Sequence, residues 1–394
     1  MTPNYRDVSE QIATVNKSVD RLVTPTLTAG ATPGTVDVTL NVEDQLPVHG
    51  SVELNDRASN RTKRLRLAAG IGYSNLFQLG HSVNIQAQVA PEELSQSAVV
   101  SASYVAPIEN TPFTVVAYGV HSDSDVAAIG GINVLGSGDI VGLRGIYTAT
   151  SGGREGMTVH QVTAGIDYKS FAEDLVVGSD RAKTPIDYIP ITFQYALNWR
   201  APGHQVELGA GVNLGFRGFD ATDLEFDLKR FGARANWAVL TGNAAYTRTF
   251  ESDWRLSART AVQYAGKPII SNEQFSAGGL DSVRGYYESQ EIGDDGIYVQ
   301  LQADTPSFHG ISGGWLDEAR LFGFVDGADM RTYLPIGGQG KYSSLASVGL
   351  GVSARALGIV NASVLLAHPL IDRESTLTDI EDHTRVSARL WTEF

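Results

Sequence analysis

From Val48 onward the apolar residues recur at every second position, in segments of roughly ten residues, and this limits the possible folds more than any other feature of the chain. A period of two is the repeat of a β-strand, whose successive side chains point to opposite faces. HSVNIQAQV directs Val83, Ile85, Ala87 and Val89 one way and Ser82, Asn84, Gln86 and Gln88 the other. In QVELGAGVNLGF, residues Val206, Leu208, Ala210, Val212, Leu214 and Phe216 oppose a face of polar and small residues that begins Gln205, Glu207, Gly209. WRLSARTAVQY sets Arg255, Ser257, Arg259 and Gln263 against Trp254, Leu256, Val262 and Tyr264. IYVQLQAD sets Tyr298, Gln300, Gln302 and Asp304 against Ile297, Val299, Leu301 and Ala303. Charges on the second face imply that it meets water.

Soluble sandwiches also alternate, but their strands usually run about five to six residues and their apolar faces meet in a dry core. Segments nearly twice as long, apolar on one side and wet on the other, predict an all-β fold: a closed antiparallel transmembrane β-barrel of about 16 strands over residues 46–394. Closure follows from the solvent, because an open edge in lipid leaves N–H and C=O groups unpaired at several kcal/mol each. The final segment, HTRVSARLWTEF, is then expected to pair with the first. It directs Thr384, Val386, Ala388, Leu390, Thr392 and Phe394 to lipid, and Arg385, Ser387, Arg389 and Glu393 to the lumen.

Composition agrees with one large β unit: 42 glycines, 14 prolines and no cysteine in 394 residues. The absent thiols exclude disulfides, Cys nucleophiles and thiolate metal sites. A net charge of -14 argues against nucleic acid, which requires clustered Lys and Arg. No apolar run is long enough for a membrane helix, and MTPNYRDVSEQ has neither the basic region nor the apolar core of a signal peptide. A barrel must be exported, so a mature or truncated form is expected.

Residues 1–45 differ from the rest. DVSEQIATVNKSV suits a short helix, and LVTPTLT and TVDVTLNVED read as strands, together a small α/β segment.

The longest stretch without alternation inside the barrel region lies near residues 265–296, KPIISNEQFSAGGLDSVRGYYESQEIGDDG. A loop of this length is functional or disordered. Phe275, Tyr286 and Tyr287 supply apolar anchors, and Gly278, Gly279 and Gly285 allow positive φ and close backbone approach, which suits a loop folded back into the lumen.

Here the chain resembles the two-partner secretion transporters, the haemolysin secretion/activation family within the superfamily of barrels that carry POTRA domains. The resemblance rests on Val283, Arg284, Gly285 and Tyr286, on EQFSAGG before them, and on Phe324, Asp326 and Gly327 in LFGFVDGADM. It extends over TPGTVDVTLNVEDQLPVHGSVELND, SNLFQLGHSVNIQAQVAPE and SASYVAPI. It implies that residues 1–45 are a partial POTRA segment facing the periplasm, that the tetrapeptide 283–286 tips a gating loop inside the barrel, and that Arg284 pairs with Asp326 on the wall. The match is imperfect, since Gly327 follows Asp326 directly and Ala328 takes the usual glycine place. In a regular strand Asp326 shares a face with Phe322 and Phe324. It then faces lipid unless those rings also point inward and pack on the loop, or a bulge at Gly323 or Gly327 intervenes.

The function implied is an outer-membrane transporter that secretes an unfolded partner exoprotein, haemolysin- or adhesin-like, through the barrel. The alternatives are an insertase that assembles other barrels and a passive porin. No G-x-S-x-G or H-E-x-x-H motif marks an enzyme, and no catalytic residue, cofactor or metal is expected. The acidic runs HSDSDV, DATDLEFD and GDDG read as solvated loop tips, and His81, His121 and His383 as strand-end or lumen residues. Expected partners are the client, outer-membrane lipid and, through the terminal Phe394, the barrel assembly machinery. With no free edge to pair, a monomer is expected.

Overall fold

The computed structural model describes residues 20–371 and 384–394, apart from 33–34, 61, 125, 130–131, 154–155, 178–179, 219–220, 309–313 and 338. The helix expected within residues 7–19 and His383 lie outside the described residues.

Two strands, Arg21–Ala29 and Val36–Asp44, form an antiparallel hairpin ahead of the barrel. Its register gathers Val23, Pro25 and Leu27 with Val38, Leu40 and Val42 on one face, and Thr24, Thr26 and Thr28 with Asp37, Thr39 and Asn41 on the other. Val38, Leu40 and Val42 are exposed.

The barrel begins at Val48–Asn55 and ends at Arg385–Glu393, each strand pairing antiparallel with its neighbour until last meets first. Asp180–Tyr188 and Ile191–Ala201 pair with the far and near parts of one partner, Gly156–Val177, so they are two halves of one strand interrupted at Pro190. Counted so, the wall has 16 strands. Several exceed the expected ten residues: Gly138–Gly153 and Leu316–Arg331 have 16 and Gly156–Val177 has 22, because the ladder continues past the membrane band into long hairpins.

The lipid face is the apolar one. Ile85, Leu208, Leu256, Val299, Leu301, Leu321, Val325, Val386 and Leu390 are all exposed on the outside, while Gln300, Asp304 and Arg320 are buried within. Turns are short at the rim where the chain ends, as at Phe77–Gly80 and Pro202–Gly203, and long at the other, where loops 216–236 and 265–294 emerge. Phe394 lies at the short-turn rim, where its backbone and that of Gly50 exchange hydrogen bonds of 2.7 and 3.0 Å.

Candidate functional site

Loop 265–294 turns back into the barrel. Its neck is a small ladder between Phe275–Ala277 and Glu291–Gly293, and its tip is residues 278–290. Phe275 fits against the wall because Gly296 opposite has no side chain: a Cβ there would lie 2.2 Å from the ring. Two tip glycines are required by backbone geometry. Gly278 (φ +112°) passes so close to the Tyr287 carbonyl that a Cβ would be 2.4 Å from it, and Gly285 (φ +98°) lies against Ala367, where a Cβ would approach to 3.2 Å.

Arg284 is buried with its neighbours Val283 and Tyr286. Its Nε and Nη2 donate to the two oxygens of Asp326, each at 2.7 Å, and its backbone N–H donates to Oδ2 at 3.0 Å. Nη1 donates to Gln302 Oε1 at 2.5 Å, and the guanidinium carbon sits 3.7 Å from the centre of the Phe324 ring. A fork of parallel donors matches a carboxylate in geometry as well as charge, which a lysine cannot do.

The face of Asp326 is settled by the aromatics. Leu316–Arg331 is regular through this stretch, its register shift falling at Leu316/Glu318, so no bulge occurs at Gly323 or Gly327. Phe322, Phe324, Asp326, Ala328 and Met330 are all buried inside. The rings lie flat against the wall over Gly351 and Gly349 of the next strand, where a Cβ would come within 2.4 and 2.3 Å of them. Gly327 has the opposite parity and looks outward. A Cβ on it would meet only the Leu345 carbonyl, at 3.8 Å, and the inward position beside it belongs to Ala328.

Val283 and Tyr286 pack with Phe275, Ala277, Ala328, Met330 and Leu345. The Tyr286 hydroxyl lies 2.9 Å from the carbonyl oxygens of both Ala346 and Ile371.

Other contacts of the loop had no signature in the sequence, because each joins residues far apart in the chain. Glu273 receives Lys169 Nζ at 2.5 Å and the Tyr188 hydroxyl at 2.5 Å, on a wall sector well away from Asp326. Glu288 receives Arg57 Nε at 3.0 Å and the Leu280 N–H at 3.2 Å, and its own N–H reaches the Ala58 carbonyl at 3.1 Å. Burial pushes the Glu288 carboxyl above the ordinary range, outweighing the pull of Arg57. Tyr287 lies under the Arg385 guanidinium at 3.6 Å. The loop thus reaches the last strand and the segment that follows the first one.

The run GDDG is no solvated tip. Asp294 is fully buried, accepting from Arg230 Nη2 at 2.9 Å, Ile269 N–H at 3.1 Å, Gln274 Nε2 at 3.1 Å and Tyr333 N–H at 2.7 Å. Arg230 also donates to the carbonyls of Ile269 at 2.6 Å and Tyr333 at 3.0 Å. DATDLEFD likewise forms structure: the helix Asp223–Lys229, opened by a Thr222–Glu225 capping box. This helix places Phe226 in an apolar core with Phe171, Ile186, Tyr188, Trp237, Ile269 and Ile270 at the long-loop end of the barrel. Beneath it the loop borders two polar cavities, of about 580 Å³ beside Arg255, Arg259, Gln302 and Arg284, and about 740 Å³ beside Arg144, Asp167, Lys169 and Glu273. Among the described residues no group of three or more His, Asp or Glu could hold a metal ion.

A closed barrel with an apolar outer face, a polar lumen and its own loop lodged across that lumen defines a membrane-spanning transporter of the plugged β-barrel class. The family of haemolysin secretion/activation proteins ShlB/FhaC/HecB matches residues 34–354, so the chain belongs to that family. It is a two-partner secretion transporter of the bacterial outer membrane. Among solved structures it is similar to CdiB from Escherichia coli, with a TM-score of 0.72 and 18% identity over 100% of this chain and 71% of that one. CdiB from Acinetobacter baumannii gives a TM-score of 0.66 and 16% identity over 99% and 68%. BamA from Haemophilus ducreyi lacking POTRA domains 1-3 gives 0.62 and 13% over 98% and 78%. No curated protein matches the chain in sequence.

Proposed function

We propose that loop 265–294 is the resting gate of this transporter and that the Arg284–Asp326 pair holds it shut while an unfolded partner exoprotein is awaited. The observation that carries the proposal is the burial of that pair. A surface ion pair contributes about 0–1 kcal/mol, whereas breaking a buried, hydrogen-bonded one costs about 3–5 kcal/mol, enough to set a resting position. Val283 and Tyr286 seat the tip, and Gly285 lets the backbone lie on Ala367. Release of the loop joins the two cavities into a path lined largely by hydroxyls, amides and charged groups, which an extended chain can cross. No bond is made or broken, so no catalytic residue or cofactor takes part.

The test is secretion of a cognate exoprotein from cells carrying the wild type or a loop locked to the wall by an engineered disulfide. Since the chain has no native cysteine, any crosslink is the one introduced. Secretion that stops when the crosslink forms and resumes on reduction supports the gate. Secretion indifferent to the crosslink overturns it.

Residues 1–45 are proposed to be part of a POTRA-like periplasmic segment. The hairpin's exposed apolar face fits this. Phe394, exposed at the short-turn rim, is proposed to present the chain to the barrel assembly machinery, and the closed wall to leave the protein monomeric.

One observation favours the insertase as a second reading. The first and last strands share five residue pairs, against eight in each adjoining ladder, so this seam is the weak one. Cysteines at Leu54 and Leu390, which face each other there, separate the readings: locking the seam abolishes lateral insertion and leaves secretion through the lumen intact. A passive porin is disfavoured by the filled lumen.

A further inference from the structure

We infer that three histidine–tyrosine pairs on the outer wall form a belt that binds phospholipid phosphates at the short-turn rim. The Nδ1 of His81 lies 2.5 Å from the Tyr104 hydroxyl, that of His160 lies 2.8 Å from Tyr195, and that of His204 lies 2.9 Å from Tyr246. The construction is the same each time. Tyr195 stands opposite Val162, two residues past His160; Tyr246 stands opposite Val206, two past His204; Tyr104 stands opposite Val83, two past His81. In every case the tyrosine belongs to the strand that follows the histidine in the wall.

All six side chains face outward by parity with exposed neighbours: Ile85 for His81, Val162 for His160, Leu208 for His204, Val100 for Tyr104, Phe193 for Tyr195 and Leu240 for Tyr246. The histidines lie at or near the starts of strands His81–Val89, Gly156–Val177 and His204–Gly215. This places them where the apolar band gives way to headgroups, the level at which amphipathic rings anchor barrels. An imidazole facing lipid is costly unless its nitrogens are bonded. With the tyrosine O–H donating to Nδ1, the neutral ring carries its proton on Nε2; the imidazolium carries one there as well. Among the described residues nothing hydrogen-bonds the Nε2 of any of the three. In that arrangement the tyrosine fixes the ring and leaves the Nε2 donor for an acceptor of the lipid interface, of which the anionic phosphate oxygen is the strongest. Around His204 the site is augmented: Trp199 lies 5.9 Å from its ring, and Arg248, directly opposite in register, adds a cation.

The belt continues the lipid face of the barrel and is independent of the gate. The test uses protein labelled with ¹⁵N-histidine in phosphatidylglycerol bilayers, with ³¹P-dependent dephasing of the ring nitrogens as readout. Dephasing is expected in the wild type and is expected to fall to background when His81→Phe, His160→Phe and His204→Phe are combined. Wild type in galactolipid bilayers containing inorganic phosphate is expected to show none, which assigns the effect to lipid rather than to free phosphate. Absence of dephasing in phosphatidylglycerol overturns the proposal without requiring any variant to fold, as does equal dephasing by free phosphate.

Discussion

Arg284 gives Asp326 three of its donors, Nε, Nη2 and the backbone N–H, so one carboxylate fixes both the side chain and the main chain of the loop tip. A side-chain bond alone would leave the tip free to pivot about the arginine stem. The added backbone bond, with Phe324 stacked beneath the guanidinium, defines one seat for the loop.

Gly285→Ala tests how closely the tip backbone lies on the wall. The new Cβ requires a residue at φ +98° and a contact of 3.2 Å with Ala367, so the docked loop is expected to lose about 1–3 kcal/mol. Single-channel recordings in planar bilayers should show opening increased by about 5- to 150-fold. An unchanged record means that residue 285 is not seated against Ala367.

Tyr286→Phe keeps the ring and removes the hydroxyl between Ala346 and Ile371. Leaving those carbonyls with one partner fewer costs about 1–3 kcal/mol, so shorter closed dwell times are expected. If only the ring matters, the phenylalanine variant will be indistinguishable from wild type and Tyr286→Ala will not.

Glu288 gives the gate a pH dependence whose sign follows from burial. Its carboxyl is held above the ordinary range in the docked loop, so the docked state binds a proton more readily than the released one. This contribution favours closure fully below the ordinary glutamate value and is lost as pH rises through the raised one. Open probability should therefore increase with pH, and Glu288→Gln should flatten that component. A profile identical in the variant refutes the assignment.

Asp294→Asn tests the second clamp. Removing the negative charge from a buried acceptor of Arg230 leaves an uncompensated guanidinium and loosens loop 216–236 from the base of the gate, at about 3–5 kcal/mol. Faster proteolysis within loop 216–236, at unchanged barrel mobility on unheated gels, is the expected result. Equal protection in the variant means that the apolar core around Phe226 holds the mouth without the clamp.

The barrel was legible because lipid enforces a period of two on every strand, and QVELGAGVNLGF and IYVQLQAD show it without ambiguity. The inward face of Asp326 was not. It depends on Phe322 and Phe324 lying against Gly351 and Gly349, a pairing visible only once the register between strands is known. GDDG resembles any exposed turn until Arg230, 64 residues earlier, is brought against Asp294. Glu273 and Glu288 were hidden for the same reason, since Lys169 and Arg57 reach them across the lumen. Strand length was underestimated because period two continues above the membrane, where no lipid marks its end.

The most direct test of the account compares single-channel conductance of the wild type with Arg284→Ala, Asp326→Ala and the double variant in planar bilayers. The account predicts a mostly closed wild type, both single variants opening to a similar extent, and a double variant no more open than either, because the two residues act through one contact. A large, steady wild-type pore, or single effects that add in the double variant, would contradict it.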